Sequence, residues 1–192
     1  GSDDKAGVAA IMTLVDLLTR NPQIEHGPVR VAFTADEEIG TGIDRFDVAA
    51  FGADFAYTVD GSTLGEVSDE TWSARLATVT FDGKSAHPGT AKGAMVNSVY
   101  AMADFLRTMP RDMLPETTEE REGFVHPYVG TLDVERSTVK ILLRDFDLGG
   151  LETKERLVRR LARETVARFP GVDTQVEVTE NYRNMKEVLK EH

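Results

Sequence analysis

The sequence predicts an α/β protein in two parts, a portion of a parallel sheet followed by an inserted ferredoxin-like α+β unit. Three features point to it. Two short apolar runs, Val29–Ala35 and Phe55–Val59, each end in acids. A helical stretch lies between them, which is the pattern of a parallel α/β sheet. From Thr71 the periodicity changes, and strands and helices alternate as β-α-β-β-α-β, the split βαβ order. The expected domains are residues 1–69, an inserted unit at 70–179, and a return to the first part at 180–192.

Taken in order, Gly1-Ser2-Asp3-Asp4 is a loop entering a helix from about Lys5 to Arg20. Gly1-Ser2 reads equally as an expression scar or as native loop. Val8, Ile11, Met12, Val15 and Leu18 share one face of that helix, and Asn21-Pro22 stops it. Val29, Val31 and Phe33 are β-branched or aromatic, so the run to Ala35 reads as a buried strand. A short helix is expected from Ile43 to Phe51, then the strand Phe55–Val59 ending at Asp60-Gly61. Thr71–Asp82 alternates as a long strand, and Gly83–Gly89 is a loop. Ala94–Thr108 is an amphipathic helix, and Arg111–Gly123 is polar loop. Phe124–Val134 and Thr138–Asp147 form a strand pair. Leu151–Phe169 is a helix whose arginines form a solvated face, Thr174–Thr179 is a last strand, and Tyr182–His192 is a helical tail.

Composition narrows the function. The 192 residues are 41% hydrophobic, enough for a packed core, and carry a formal charge of −11. That charge argues against a nucleic-acid or anionic-membrane partner. Without cysteine there is no disulfide framework, thiolate ligand or cysteine nucleophile. No apolar run approaches membrane-spanning length. No signal peptide stands at the N-terminus, and a cytoplasmic location is expected.

The chemistry concentrates on acids. Asp36-Glu37-Glu38 follows the first expected strand, and Asp60 follows the second. Ligands in open α/β sheets collect at these carboxyl ends. On an extended backbone, adjacent Glu37 and Glu38 face opposite ways, so one can hold a metal while the other addresses a water. Asp3 stands before the first helix as if it too followed a strand, which would bring a third acid-bearing tip to one edge, and Asp3 and Asp4 sit where carboxylates cap a helix. A solvated acidic loop and plain helix capping account for the same residues without chemistry.

Five stretches together carry a resemblance: Asp3-Asp4-Lys5-Ala6-Gly7, Arg30 through Gly40, Tyr57-Thr58-Val59-Asp60-Gly61, His87-Pro88-Gly89-Thr90-Ala91-Lys92-Gly93, and Arg144-Asp145-Phe146-Asp147. In this order they resemble the peptidase T family. These are tripeptide aminopeptidases of the di-zinc group that also holds acetylornithine deacetylases and glutamate carboxypeptidases. The resemblance implies a parallel-sheet zinc-peptidase catalytic domain with an inserted lid and dimerisation domain. It implies two zinc ions, a tripeptide substrate and a homodimer formed through the lid. Asp3 would bridge the zincs, with a cis Asp3–Asp4 peptide, Glu38 would ligate one and Asp60 the other. Glu37 would be the general base. His87 would stabilise the oxyanion, Arg144 would hold the substrate's C-terminal carboxylate, and Asn97 would contribute to the substrate pocket.

The family pattern also needs two metal-ligating histidines, one upstream of Asp3 and one well downstream of the lid. His26, His126 and His192 stand in neither position, so the sequence reads as the central part of such an enzyme, inactive alone. His87 can also be a turn residue and Arg144 a structural ion pair, while Asp36 is assigned no chemistry. A non-catalytic lid, dimerisation or peptide-binding module is the alternative function.

Overall fold

The computed structural model describes residues 3–61 and 63–190. Gly1-Ser2 and His192 lie outside the described residues. The chain divides into two units, Gly1–Val67 and Ser68–His192.

The first unit opens with α1 (Lys5–Arg20), capped at its N-terminus by Asp4, whose Oδ1 accepts from Gly7 N at 2.8 Å. The second helix, α2 (Val48–Phe51), is shorter than expected, because Asp47 caps it through Ala50 N. The expected strands Val29–Ala35 and Phe55–Val59 are not formed: among the described residues neither run joins a ladder. Their apolar side chains are exposed, Phe33 by 53% and Tyr57 by 76%. An unpaired run leaves its backbone N–H and C=O groups to water, so apolar alternation alone does not stabilise it as a strand. The acids after the first run sit in a 3-10 turn, Glu37–Ile39, not on extended backbone. Asp36 enters that turn with φ of 63°, and Gly40 N closes it on Glu37 O at 2.7 Å. Aspartate is among the few residues that adopt this left-handed conformation readily.

The second unit is one antiparallel sheet with helices on one face. Its strands are β1 (Ser73–Asp82), β2 (Phe124–Thr131), β3 (Arg136–Asp145) and β4 (Asp173–Tyr182), in spatial order β2-β3-β1-β4. Helix α3 (Ser98–Arg107) connects β1 to β2, and α4 (Leu148–Arg168) connects β3 to β4, so the β-α-β-β-α-β order expected from the sequence is realised. Alternate residues of β3, Val139, Ile141 and Leu143, are buried with Val79 and Phe81 of β1, Phe105 of α3, and Leu151 and Val158 of α4. Phe81 and Phe105 meet edge to face, 5.5 Å between centroids. Burying side chains of this size contributes about 1.5–3 kcal/mol each, which makes this cluster the main stabilising feature of the unit.

Several boundaries differ from the local pattern for tertiary reasons. Helix α3 starts at Ser98, not Ala94, because Val96 exchanges two backbone hydrogen bonds with Lys84, at 2.7 and 2.9 Å, and Asn97 then caps the helix. Strand β4 runs three residues past Thr179, crossing a bulge opposite Ala74 and Arg75. The tail helix, α5 (Lys186–Leu189), is correspondingly brief. Before it, buried Asn184 is tied into the second unit: Oδ1 accepts from Thr71 N, Nδ2 donates to Phe146 O, and its own N–H donates to Ser73 Oγ, each at 3.0 Å.

Candidate active site

The acid group of the first unit depends on a glycine. Gly7, in the first turn of α1, is buried against the carbonyl of Val59 and the carboxylate of Asp4, and any Cβ there would collide with both. The missing side chain lets the chain before Asp60 lie against the start of α1. Carboxylate oxygens of Asp3, Asp4 and Asp60 consequently lie within 4.8 Å of one another. The Asp3–Asp4 peptide is cis, as the resemblance implies. Three like charges this close repel one another. The positive end of the helix dipole offsets part of that, and a cation would offset more.

As donors, three carboxylates fit part of a divalent-metal shell, since each offers an oxygen and the oxygens are close enough to converge on one ion. Zinc favours nitrogen or sulfur among its ligands. Among the described residues no histidine joins this group. His26 is exposed with Nδ1 at 2.8 Å from Gly27 O, and His126 lies on β2, stacked on Tyr128. Glu37 and Glu38 occupy their own exposed turn and are not members of the acid group. Asp4, which sequence reasoning treated as a helix cap, is a member, and it does both. Two adjacent acids before a helix are one more than capping requires, and that was the available signal.

In the second unit, His87 caps the 3-10 turn Pro88–Thr90. Its Nδ1 accepts from Gly89 N at 3.1 Å. An Nδ1 that accepts carries no proton, so the neutral ring bears its proton on Nε2 and can donate from there. Asn97 caps α3, with Oδ1 accepting from Val99 N at 2.9 Å. Its Nδ2 makes no hydrogen bond among the described residues.

Arg144 lies half-buried on β3, directly opposite Phe124 of β2 and Ala74 of β1. Its guanidinium carbon is 5.9 Å from the ring centroids of both Phe124 and Tyr182. Its Nε is buried with no hydrogen-bond partner, and among the described residues it forms no ion pair. The neighbouring acid, Asp145, points to the other face and pairs with Lys154 at 2.5 Å. Sequence reasoning singled out Arg144 but not its aromatic flanks, which come from two other strands.

At the same end of the sheet, Trp72 packs tilted against Phe146 with 4.0 Å between centroids and meets Phe124 edge-on at 5.4 Å. Arg121 lies over Phe146 at 4.5 Å and pairs with Glu70.

The peptidase T of Vibrio parahaemolyticus is 45% identical over 190 residues, 99% of this chain and 46% of the relative. The peptidase T of Desulfitobacterium hafniense is also 45% identical, over 99% of this chain and 46% of its own length. The chain thus spans about half the length of the curated relatives it matches. Among solved structures, aminopeptidase PepT from Bacillus cereus superposes with a TM-score of 0.73 at 23% identity, covering 97% of this chain and 50% of that one. A tripeptidase from Staphylococcus aureus gives 0.75 at 23% identity, over 96% and 49%. At that identity the two structures speak for the fold. The family description "Peptidase dimerisation domain" matches residues 73–173, which span β1, α3, β2, β3 and α4 and end at the first residue of β4. The chain therefore belongs to the peptidase dimerisation domain family.

Proposed function

We propose that this sequence serves a zinc-dependent aminopeptidase that releases the N-terminal residue from tripeptides. The observation that carries the reading is the convergence of Asp3, Asp4 and Asp60 within 4.8 Å at the start of α1. Two zinc ions, when bound, would lower the pKa of a water and polarise the scissile carbonyl. Asp3 and Asp60 would hold metal, and Glu38 is assigned to the same shell from the resemblance. Glu37 would accept the proton of the attacking water. The Nε2–H of His87, fixed by the Gly89 hydrogen bond, would donate to the developing oxyanion. Arg144 would hold the substrate's far carboxylate, which gives the tripeptide preference a physical basis: a fixed cation measures the length of the peptide. Asn97 would contribute Nδ2 to the substrate pocket. A cytoplasmic site of action accompanies this reading.

The second unit would act as the lid and join two copies of the chain. Strand β2 is an edge of the sheet. Tyr128, Val129 and Leu132, on and just beyond it, are each more than half exposed. An exposed apolar edge is a natural place for a second sheet to add. Because the family match falls within this unit, a non-catalytic dimerisation or peptide-binding role is the second reading.

Turnover of a tripeptide separates the two readings, and Glu37→Gln tests the assigned base. In a protein of the relatives' full length carrying this sequence, it should leave metal content intact and lower kcat by roughly two to four powers of ten. Near-normal turnover in that variant would remove Glu37 from the chemistry.

A further inference from the structure

Of the arginines on the sheet, Arg75 pairs with Glu155 at 2.7 Å and Arg136 with Asp82 at 2.6 Å. Arg144 has no such counter-charge among the described residues. What it has instead is a row. Phe124, Arg144, Ala74 and Tyr182 stand directly opposite one another across β2, β3, β1 and β4. Directly opposed residues on neighbouring strands share a face. Ala74 is fully buried, yet it is not part of the core cluster under the helices, so this row lies on the opposite face. At the centre of the row alanine leaves room, and the guanidinium lies equidistant from the two rings at 5.9 Å.

An aromatic face attracts a guanidinium without cancelling its charge, whereas a carboxylate partner neutralises it. The nearest acid in sequence, Asp145, faces the other way and is occupied by Lys154. The arrangement holds a cation in place, with Nε already buried and unpartnered, and keeps its charge uncommitted.

We infer that Phe124 and Tyr182 are positioning residues that fix Arg144 as a reader of a peptide's C-terminal carboxylate. The inference rests on the assignment of Arg144 to that carboxylate in the proposed function. Tyr182 lies in the segment that the local pattern placed in a tail, and the bulge in β4 returns it to the row.

The test compares kcat/KM for a tripeptide and for the same tripeptide as its C-terminal amide, in a protein of the relatives' full length. Arg144→Ala should cut the acid-to-amide ratio by about ten- to hundredfold, the loss expected for a hydrogen bond to a charged group. Phe124→Leu and Tyr182→Leu should each cut that ratio about two- to fivefold, the scale of an exposed cation–π contact, with the change falling on KM for the acid. Tyr182→Phe keeps the ring and should keep the ratio. A merely structural role for the rings would lower both substrates together and leave the ratio alone, and that result overturns the inference. If Arg144→Ala also leaves the ratio unchanged, the assignment of Arg144 falls with it. If Arg144→Ala collapses the ratio and both leucine variants do not, only the positioning role falls. Tyr182 is 41% exposed, so its variants decide the matter even where Phe124→Leu fails to fold.

Discussion

Lys154 Nζ lies 2.5 Å from the Oδ2 of Asp145, and both side chains are buried, 10% and 9% exposed. The pair fastens the end of β3 to the first turns of α4. Asp145 Oδ1 also accepts from Asp147 N at 3.2 Å, and Gly150 packs so close to the carboxylate that a Cβ there would overlap it. Removing one partner of a buried pair leaves an uncompensated charge, which is far more costly than removing both. Lys154→Met should therefore destabilise the chain by about 3–5 kcal/mol in chemical denaturation. Asp145→Asn combined with Lys154→Met should recover part of that loss. A single-variant cost of only a few tenths of a kcal/mol, the range of exposed pairs, would show that the pair is solvated.

Helices α3 and α4 are linked at Asp104. Arg168 reaches its Oδ2 through Nε at 2.7 Å and Nη2 at 2.6 Å, and Arg107 reaches Oδ1 at 3.0 Å. Burial pushes the Asp104 carboxyl upward, but the hydrogen bonds from Arg168 and Arg107 and their charges outweigh it and hold the carboxyl below its ordinary value. A carboxyl depressed in the folded state stabilises above its unfolded pKa, and that contribution disappears as pH falls through the folded value. The stability difference between the natural chain and Asp104→Asn should thus be largest near neutrality and shrink in strong acid. Denaturation curves at the two extremes decide it, and a pH-independent difference would contradict the assignment.

The fold was legible where local pattern and tertiary partner agree. The alternation of Val139, Ile141 and Leu143 announces β3, and the spacing of Leu151, Val158 and Leu161 announces α4, because each stripe meets a real core. Val29–Ala35 has the same alternation, and no ladder forms on it among the described residues. Periodicity reports what a segment can bury, not whether a partner lies beside it. The start of α3 was misplaced because its first turn is taken by the bridge from Lys84 to Val96, a contact invisible in the helix's own sequence.

The site divides along the same line. Acids before a helix and after apolar runs stand out in the sequence, and two of them, Asp3 and Asp60, do converge. The membership of Asp4 depends on Gly7 admitting the Val59 carbonyl, and the flanking of Arg144 depends on the register of four strands. Neither is written in any one segment.

His87 offers a spectroscopic prediction independent of turnover. With Gly89 N donating to Nδ1, the neutral ring should be the Nε2–H tautomer. Nitrogen-15 shifts of the imidazole, recorded well above neutral pH, should show Nδ1 unprotonated and Nε2 protonated. The opposite tautomer would leave Nε2 unable to donate to an oxyanion and would remove His87 from that role.

The central claim is that Asp3, Asp4 and Asp60 gather at the start of α1 to serve a metal-dependent tripeptide aminopeptidase. Its most direct measurement is tripeptide turnover by a protein of the relatives' full length carrying this sequence, before chelation, after chelation, and after zinc is returned. The natural sequence should lose turnover on chelation and regain it with zinc, whereas Asp60→Asn should remain inactive at the same zinc concentration. Turnover that survives chelation, or an Asp60→Asn variant that recovers with zinc as the natural sequence does, would contradict the account.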